Sequence, residues 1–182
     1  MKNSTLQKGF TLIELIVVIV ILGVLAVTAA PRLINMSDDA HLAVTRAEYA
    51  AFRSAVNLVH SKYLIKQTSP LEIASGISLP MTSEGYPLGT GSTMTRCADI
   101  WNKLLADPQA ITAANSFTTD LDAGWYYLGT ADICAYGKSL GGESFQDGNM
   151  AHFVYFLTDY SVSFGGITYA GKAGDVVLYN AS

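Results

Sequence analysis

Glu14 is the one charged side chain between Lys8 and Arg32, and it stands near the start of an apolar run, Thr11–Ala30. An ionisable group at bilayer depth costs roughly 2.5–3.5 kcal/mol near the centre of a helix and less towards its end. A carboxylate in such a run therefore either reaches back to the membrane surface or meets a cation that offsets its burial.

Other residues that could do chemistry are few. Cys97 and Cys134 are the two cysteines. Two cysteines make a disulfide in an oxidising compartment or half of a metal site. No second pair exists here, and His41, His60 and His152 show no ligand spacing to either cysteine, so a Cys97–Cys134 disulfide is expected and a metal is not. Asp120, Asp122 and Asp132 could offer oxygen ligands to calcium, but their spacing departs from the EF-hand pattern. Gly89-Thr-Gly-Ser-Thr93 lacks the Lys-Ser/Thr ending of a phosphate loop and reads as a plain loop. No G-x-S-x-G elbow, H-E-x-x-H helix or locally supported Cys-His pair is present, so no catalytic site and no cofactor is expected. His152 sits in a strand pattern and reads as a half-buried surface residue.

The elements that position these residues begin with the apolar run. Its 20 residues span roughly 30 Å as a helix, the thickness of a hydrocarbon core. Lys2 and Lys8 precede it, whereas Arg32 and then Asp38-Asp39 follow, so by the positive-inside rule the bulk of the chain is exported. Three readings compete for the run. It is a plain anchor, a secretory signal cut near Val27-Thr28-Ala29, or a retained helix behind a short leader cut at Gly9–Phe10. Its length, Glu14 and the crowding Pro31 argue against the second. Loss of residues 1–9 would remove Lys2 and Lys8 and no acid, leaving 9 basic and 15 acidic side chains, net −6. Such a balance disfavours nucleic acid or anionic lipid as a partner.

Gly9-Phe-Thr-Leu-Ile-Glu14 and the following Leu-Ile-Val-Val-Ile-Val-Ile-Leu-Gly23 resemble the amino-terminal signature of type IV prepilins. The continuation Val27-Thr-Ala-Ala-Pro31-Arg32 with Asp38-Asp39 looks most like the mannose-sensitive haemagglutinin (MSHA) pilins. This likeness covers roughly residues 8–40. Gly85-Tyr-Pro87 and the stretch Cys97–Leu105 also fit that branch. The resemblance implies cleavage after Gly9 by a membrane prepilin peptidase, which also methylates the new amino group of Phe10. It further implies that Glu14 pairs with the amino terminus of a neighbouring subunit. A buried pair of this kind is a weak source of stability but can set register between helices. Gly23 and Pro31 bracket a stretch of weakened helix, since interior glycine costs about 1 kcal/mol and proline about 3. In these pilins the segment is thought to unwind on assembly.

Downstream, Ser37 with Asp38 and Asp39 suits a helix start. Ala40, Val44, Ala47, Ala51, Ala55 and Leu58 recur at helical steps, so residues 37–66 are predicted to continue the anchor and to turn this stripe towards a globular head. Residues 67–95 read as a loop with turns at Ser69-Pro70, Gly85-Tyr-Pro87 and Gly89-Thr-Gly91. Cys97, Ile100, Trp101 and Leu104 share the face of a short helix ending before Asp107-Pro108. Strands are predicted at 124–128, 133–136, 151–157, 161–169 and 176–179, with turns or bulges at Asp147-Gly148 and Gly165-Gly166. Asn180-Ala-Ser182 matches a glycosylation sequon at the chain end.

The expected architecture is α+β, a type IV pilin fold with a long amino-terminal helix packed on an antiparallel sheet. Residues 1–9 would be a leader, 10–36 a transmembrane and assembly helix, and 37–182 the head. The resemblance implies a structural subunit of a helical filament used for surface attachment. Other pilins, the prepilin peptidase and methyltransferase, the pilus assembly machinery and, before assembly, the inner membrane would be its partners. The alternative is a pseudopilin of a type II secretion system.

Overall fold

In a computed structural model, residues 10–146 and 149–180 are described, without the side chains of 30–38. The Asp147-Gly148 turn and the end of the Asn180 sequon lie outside the described residues. The chain divides into two compact units, Met1–Ala40 and His41–Ser182. Helix α1, Leu12–Lys66, supplies the described part of the first unit and continues into the second.

In the first unit, Leu12–Ala29 is long and apolar enough to cross a membrane, and none of it is buried within the chain. The helix runs without a break through Gly23 and Pro31. A Cβ added at Gly23 would meet no atom within 4 Å, so nothing in this chain demands a glycine there.

In the second unit, α1 turns a different face to the core from the one its alanines suggest. Thr45, Phe52, Val56 and Val59 are buried and Tyr49 packs beside them, whereas Val44, Ala47, Ala51 and Leu58 are exposed. The two stripes differ by one residue, about 100° around the helix. Burying Phe52 and Tyr49 removes far more apolar surface from water than burying Ala47 and Ala51, so the aromatic stripe wins.

Helix α2, Thr93–Leu104, starts at a reciprocal cap: the Ser92 hydroxyl accepts from the Thr95 amide and the Thr95 hydroxyl accepts from the Ser92 amide. Its buried face is Cys97, Ile100 and Trp101, as its spacing requires. Before it, in the stretch read as a loop, β1 (Leu71–Ala74) and β2 (Ile77–Leu79) form a hairpin. Strands of three and four residues are too short to show a period of two against Ser- and Gly-rich flanks.

The main sheet has five strands in the order β3 (Ile111–Ala113), β4 (Gly124–Gly129), β5 (Ile133–Ser139), β6 (His152–Phe156) and β9 (Val176–Tyr179). It is antiparallel except at one edge, where β3 pairs with β4 in parallel. The predicted strand 161–169 is instead a separate hairpin, β7 (Tyr160–Phe164) and β8 (Ile167–Gly171), turned at Gly165 and Gly166. Both glycines have positive φ, which explains why the strand pattern breaks there.

Strands β5 and β6 are buried on both faces. On one face Phe52 of α1 and Trp101 of α2 each lie 5.1 Å from Tyr136, centroid to centroid. On the other, Leu128, Ile133, Val154, Phe156 and Tyr169 form a second cluster. Buried hydroxyls find acceptors: Tyr136 donates to the Cys97 carbonyl at 2.7 Å and Tyr155 to the Pro87 carbonyl at 2.7 Å.

Candidate functional site

Glu14 sits at the first turn of α1. The Thr11 amide and hydroxyl both donate to Glu14 Oε2 at 2.8 Å, and the Glu14 amide donates to the Thr11 hydroxyl at 3.3 Å. This is a capping box, which satisfies the amides that a helix start leaves open and places a carboxylate at the positive end of the helix dipole. The signal is visible in the sequence as Thr11-x-x-Glu14 before an apolar run, a pattern that the cost of a carboxylate in lipid does not reveal. Within the chain Glu14 is thus offset by local donors. Phe10 precedes the helix and is 90% exposed, while Gly9 lies outside the described residues.

The two cysteines are joined. Cys97 on α2 and Cys134 on β5 form a disulfide with Cα atoms 5.5 Å apart, 37 positions apart in sequence, and both are fully buried. The bond ties the second helix to the middle of the sheet, beside the Tyr136–Cys97 hydrogen bond.

Other candidate groups take other roles. The glycine-rich turn leads into the cap of α2, and Thr90 donates there through its amide and hydroxyl, both at 2.8 Å, to Asp99 of the same chain. Donors that might have cradled an anion are thus occupied by a carboxylate. Asp132 accepts from the Thr158 hydroxyl at 2.9 Å, and among the described residues no three His, Cys, Asp or Glu side chains come together as a metal group.

His152 departs from expectation. It is wholly buried on β6, and burial lowers its pKa to about 4. Its cross-strand partner is Gly137, where an added Cβ would come within 2.8 Å of the His152 Cβ. The missing side chain opposite is what admits the imidazole. Its Nδ1 lies 2.9 Å from the Met150 carbonyl and its Nε2 3.1 Å from the Tyr169 hydroxyl, and its ring stacks on Tyr179.

Residues 5–30 match the prokaryotic N-terminal methylation motif. The type IV narrow pilus major component PilA5 of Thermus thermophilus is 54% identical over 48 residues, 26% of this chain and 41% of that protein. The type II secretion system core protein G of Klebsiella michiganensis is 32% identical over 84 residues, 44% of this chain and 59% of its own length. The type IV major fimbrial protein FimA of Dichelobacter nodosus is 40% identical over 53 residues, 29% of this chain and 34% of that protein. The chain therefore spans between about a third and three fifths of the length of these relatives. No solved structure matches at comparable significance.

Proposed function

With an amino-terminal segment homologous to those of type IV pilins and of core protein G, we propose that this chain is a structural subunit of a type IV pilus. It is cut after Gly9 by a prepilin peptidase, methylated on Phe10, held in the inner membrane by α1 with its head exported, and polymerised with other pilins into an extracellular filament for surface attachment. The resemblance of the segment around Pro31 and Asp38-Asp39 to the MSHA pilins supports a pilin of that branch. One observation carries the reading: an apolar helix start, fully exposed, whose sole carboxylate is held at its very tip. On cleavage the new amine of Phe10 would lie one residue from the donors that now hold Glu14. Exchange of those local donors for the amine of a neighbouring subunit would let the carboxylate enter a helical bundle as a pair. Gly23 and Pro31 would then mark where the helix gives way on assembly.

A second reading, a type II secretion pseudopilin, has its own support. The matches to core protein G of two Klebsiella species extend over 44–46% of this chain, while that of Pseudomonas aeruginosa covers 29% and those to the pilus proteins cover 26–29%. Location separates the two: a pilin is recovered in sheared extracellular fibres, whereas a pseudopilin stays with the cell envelope.

Mass spectrometry of the protein from sheared fibres should show a chain beginning at methylated Phe10. A chain beginning at Met1 or near Ala30 would end the pilin reading. Glu14→Val should leave membrane insertion intact, because the costly charge is gone. It should lower fibre yield by about tenfold or more, the loss expected when one partner of a buried pair is missing. Ordinary yield in that variant would show that the carboxylate does not set register.

A further inference from the structure

One backbone amide of β4 ends on a sulfur. The Thr130 amide donates to the Ile133 carbonyl, so by strand alternation the amide of Gly129 faces away from β5. On that side β3 has ended at Ala113, which pairs with Tyr127. The Gly129 amide donates instead to Sδ of Met94, 3.1 Å away in the first turn of α2. Only a glycine admits this approach. A Cβ there would run into the Thr93 carbonyl and come within 2.7 Å of the Cys97 sulfur. The thioether thus stands in the seam between α2 and β4, beside the Cys97–Cys134 bond.

Met94 is also the methionine of the second unit that solvent reaches best. Met81 there is 7% exposed and Met150 1%, whereas Met94 is only half-buried. Its side chain packs on the cluster that holds Cys97, Trp101 and Cys134. Its sulfur carries two lone pairs, which are not equivalent in a folded chain. The Gly129 amide covers one of them, and the other is left to a small oxidant.

We infer that Met94 is a reversible oxidation site of the head, taking oxygen from hydrogen peroxide on one side of its sulfur. The uncovered lone pair attacks one peroxide oxygen, and the O–O bond breaks. The hydroxide released takes the proton from the transferred oxygen and leaves as water. Sulfur loses two electrons and peroxide gains them, giving a chiral sulfoxide. The added oxygen is polar and lies against the aromatic and disulfide cluster, while Gly129 loses its thioether acceptor. Both effects loosen the seam that holds α2 to the sheet. A sulfoxide reductase of matching handedness restores the thioether.

Peroxide treatment of the full-length exported protein, disulfide intact, followed by peptide mapping, reads both the site and the handedness. Met94 should be oxidised about tenfold or more faster than Met81 and Met150, which are reached only through opening of the structure. Its sulfoxide should be chiefly one epimer, restored by one of the two epimer-specific reductases and left by the other. In denaturant the three should oxidise alike, and Met94 should give both epimers. Oxidation should lower the urea midpoint of the parent, and Met94→Leu, close in volume, should abolish that fall. Equal amounts of both epimers from the folded protein would overturn the site, as would oxidation of Met81 or Met150 as fast as that of Met94. A fall of the same size in Met94→Leu would overturn its effect on the head.

Discussion

Cys134→Ser should lower the stability of the oxidised head by roughly 3.5–4 kcal/mol, the chain-entropy value for opening a loop of this size. The loop holds the end of α2, β3, β4 and the start of β5, so its release loosens the helix that carries Trp101 against the sheet. Denaturant melts of the exported protein should show the midpoint falling and the slope rising, because the unfolded chain without its cross-link is less compact. The orphaned Cys97 thiol remains fully buried in the folded state. A thiol reagent should therefore label it only through opening of the structure, at a rate that reports local stability. An unchanged midpoint, or two free thiols in the native exported protein, would refute this account.

The second large effect is on acid stability. His152 ionises near 4 in the folded head against an ordinary value of about 6.5, because burial among Phe145, Tyr169 and Tyr179 disfavours the imidazolium. A group whose folded pKa is depressed leaves the unfolded chain as the better proton acceptor. Stability from this residue is thus full above about pH 6.5 and declines as the pH falls towards 4, by about 3 kcal/mol in all. Protonation below 4 in both states adds no further loss. The ring is held between the Met150 carbonyl, 2.9 Å from Nδ1, and the Tyr169 hydroxyl, 3.1 Å from Nε2, and that hydroxyl donates to the Phe145 carbonyl at 3.0 Å. Urea midpoints measured between pH 7 and 4.5 should fall in the parent. They should fall less in His152→Gln, which keeps polar atoms in the site without the titration. Parallel profiles for the two proteins would show that His152 does not carry the acid sensitivity.

Much of the molecule was legible without coordinates because it depends on single residues or on short local patterns. An apolar run of membrane length, lysines before it and Glu14 inside it follow from composition along the chain, and partition into lipid depends on little else. The cysteine pairing and the face of α2 were legible for similar reasons: two cysteines permit one intramolecular pairing, and Cys97, Ile100 and Trp101 fall on one side of any helix. The Thr11–Glu14 cap was equally local and could have been read from its spacing.

Only the tertiary structure decided which of two adjacent stripes of α1 faces the core. Both are compatible with a helix, and the choice fell to Phe52 because four aromatic rings, Trp101, Tyr136, Phe153 and Tyr155, arrive from distant positions to surround it. The burial of His152 was hidden for the same reason, since it depends on Gly137 across the sheet and Tyr179 from the last strand. So was the parallel edge strand, whose partner lies about 14 residues further along the chain, whereas the two short hairpins are local and were hidden by strands too short to show a period of two and by the turn at Gly165-Gly166. Local energetics specify what a segment can be; which surface it buries, and against what, is settled only where segments far apart in the chain compete for the same core.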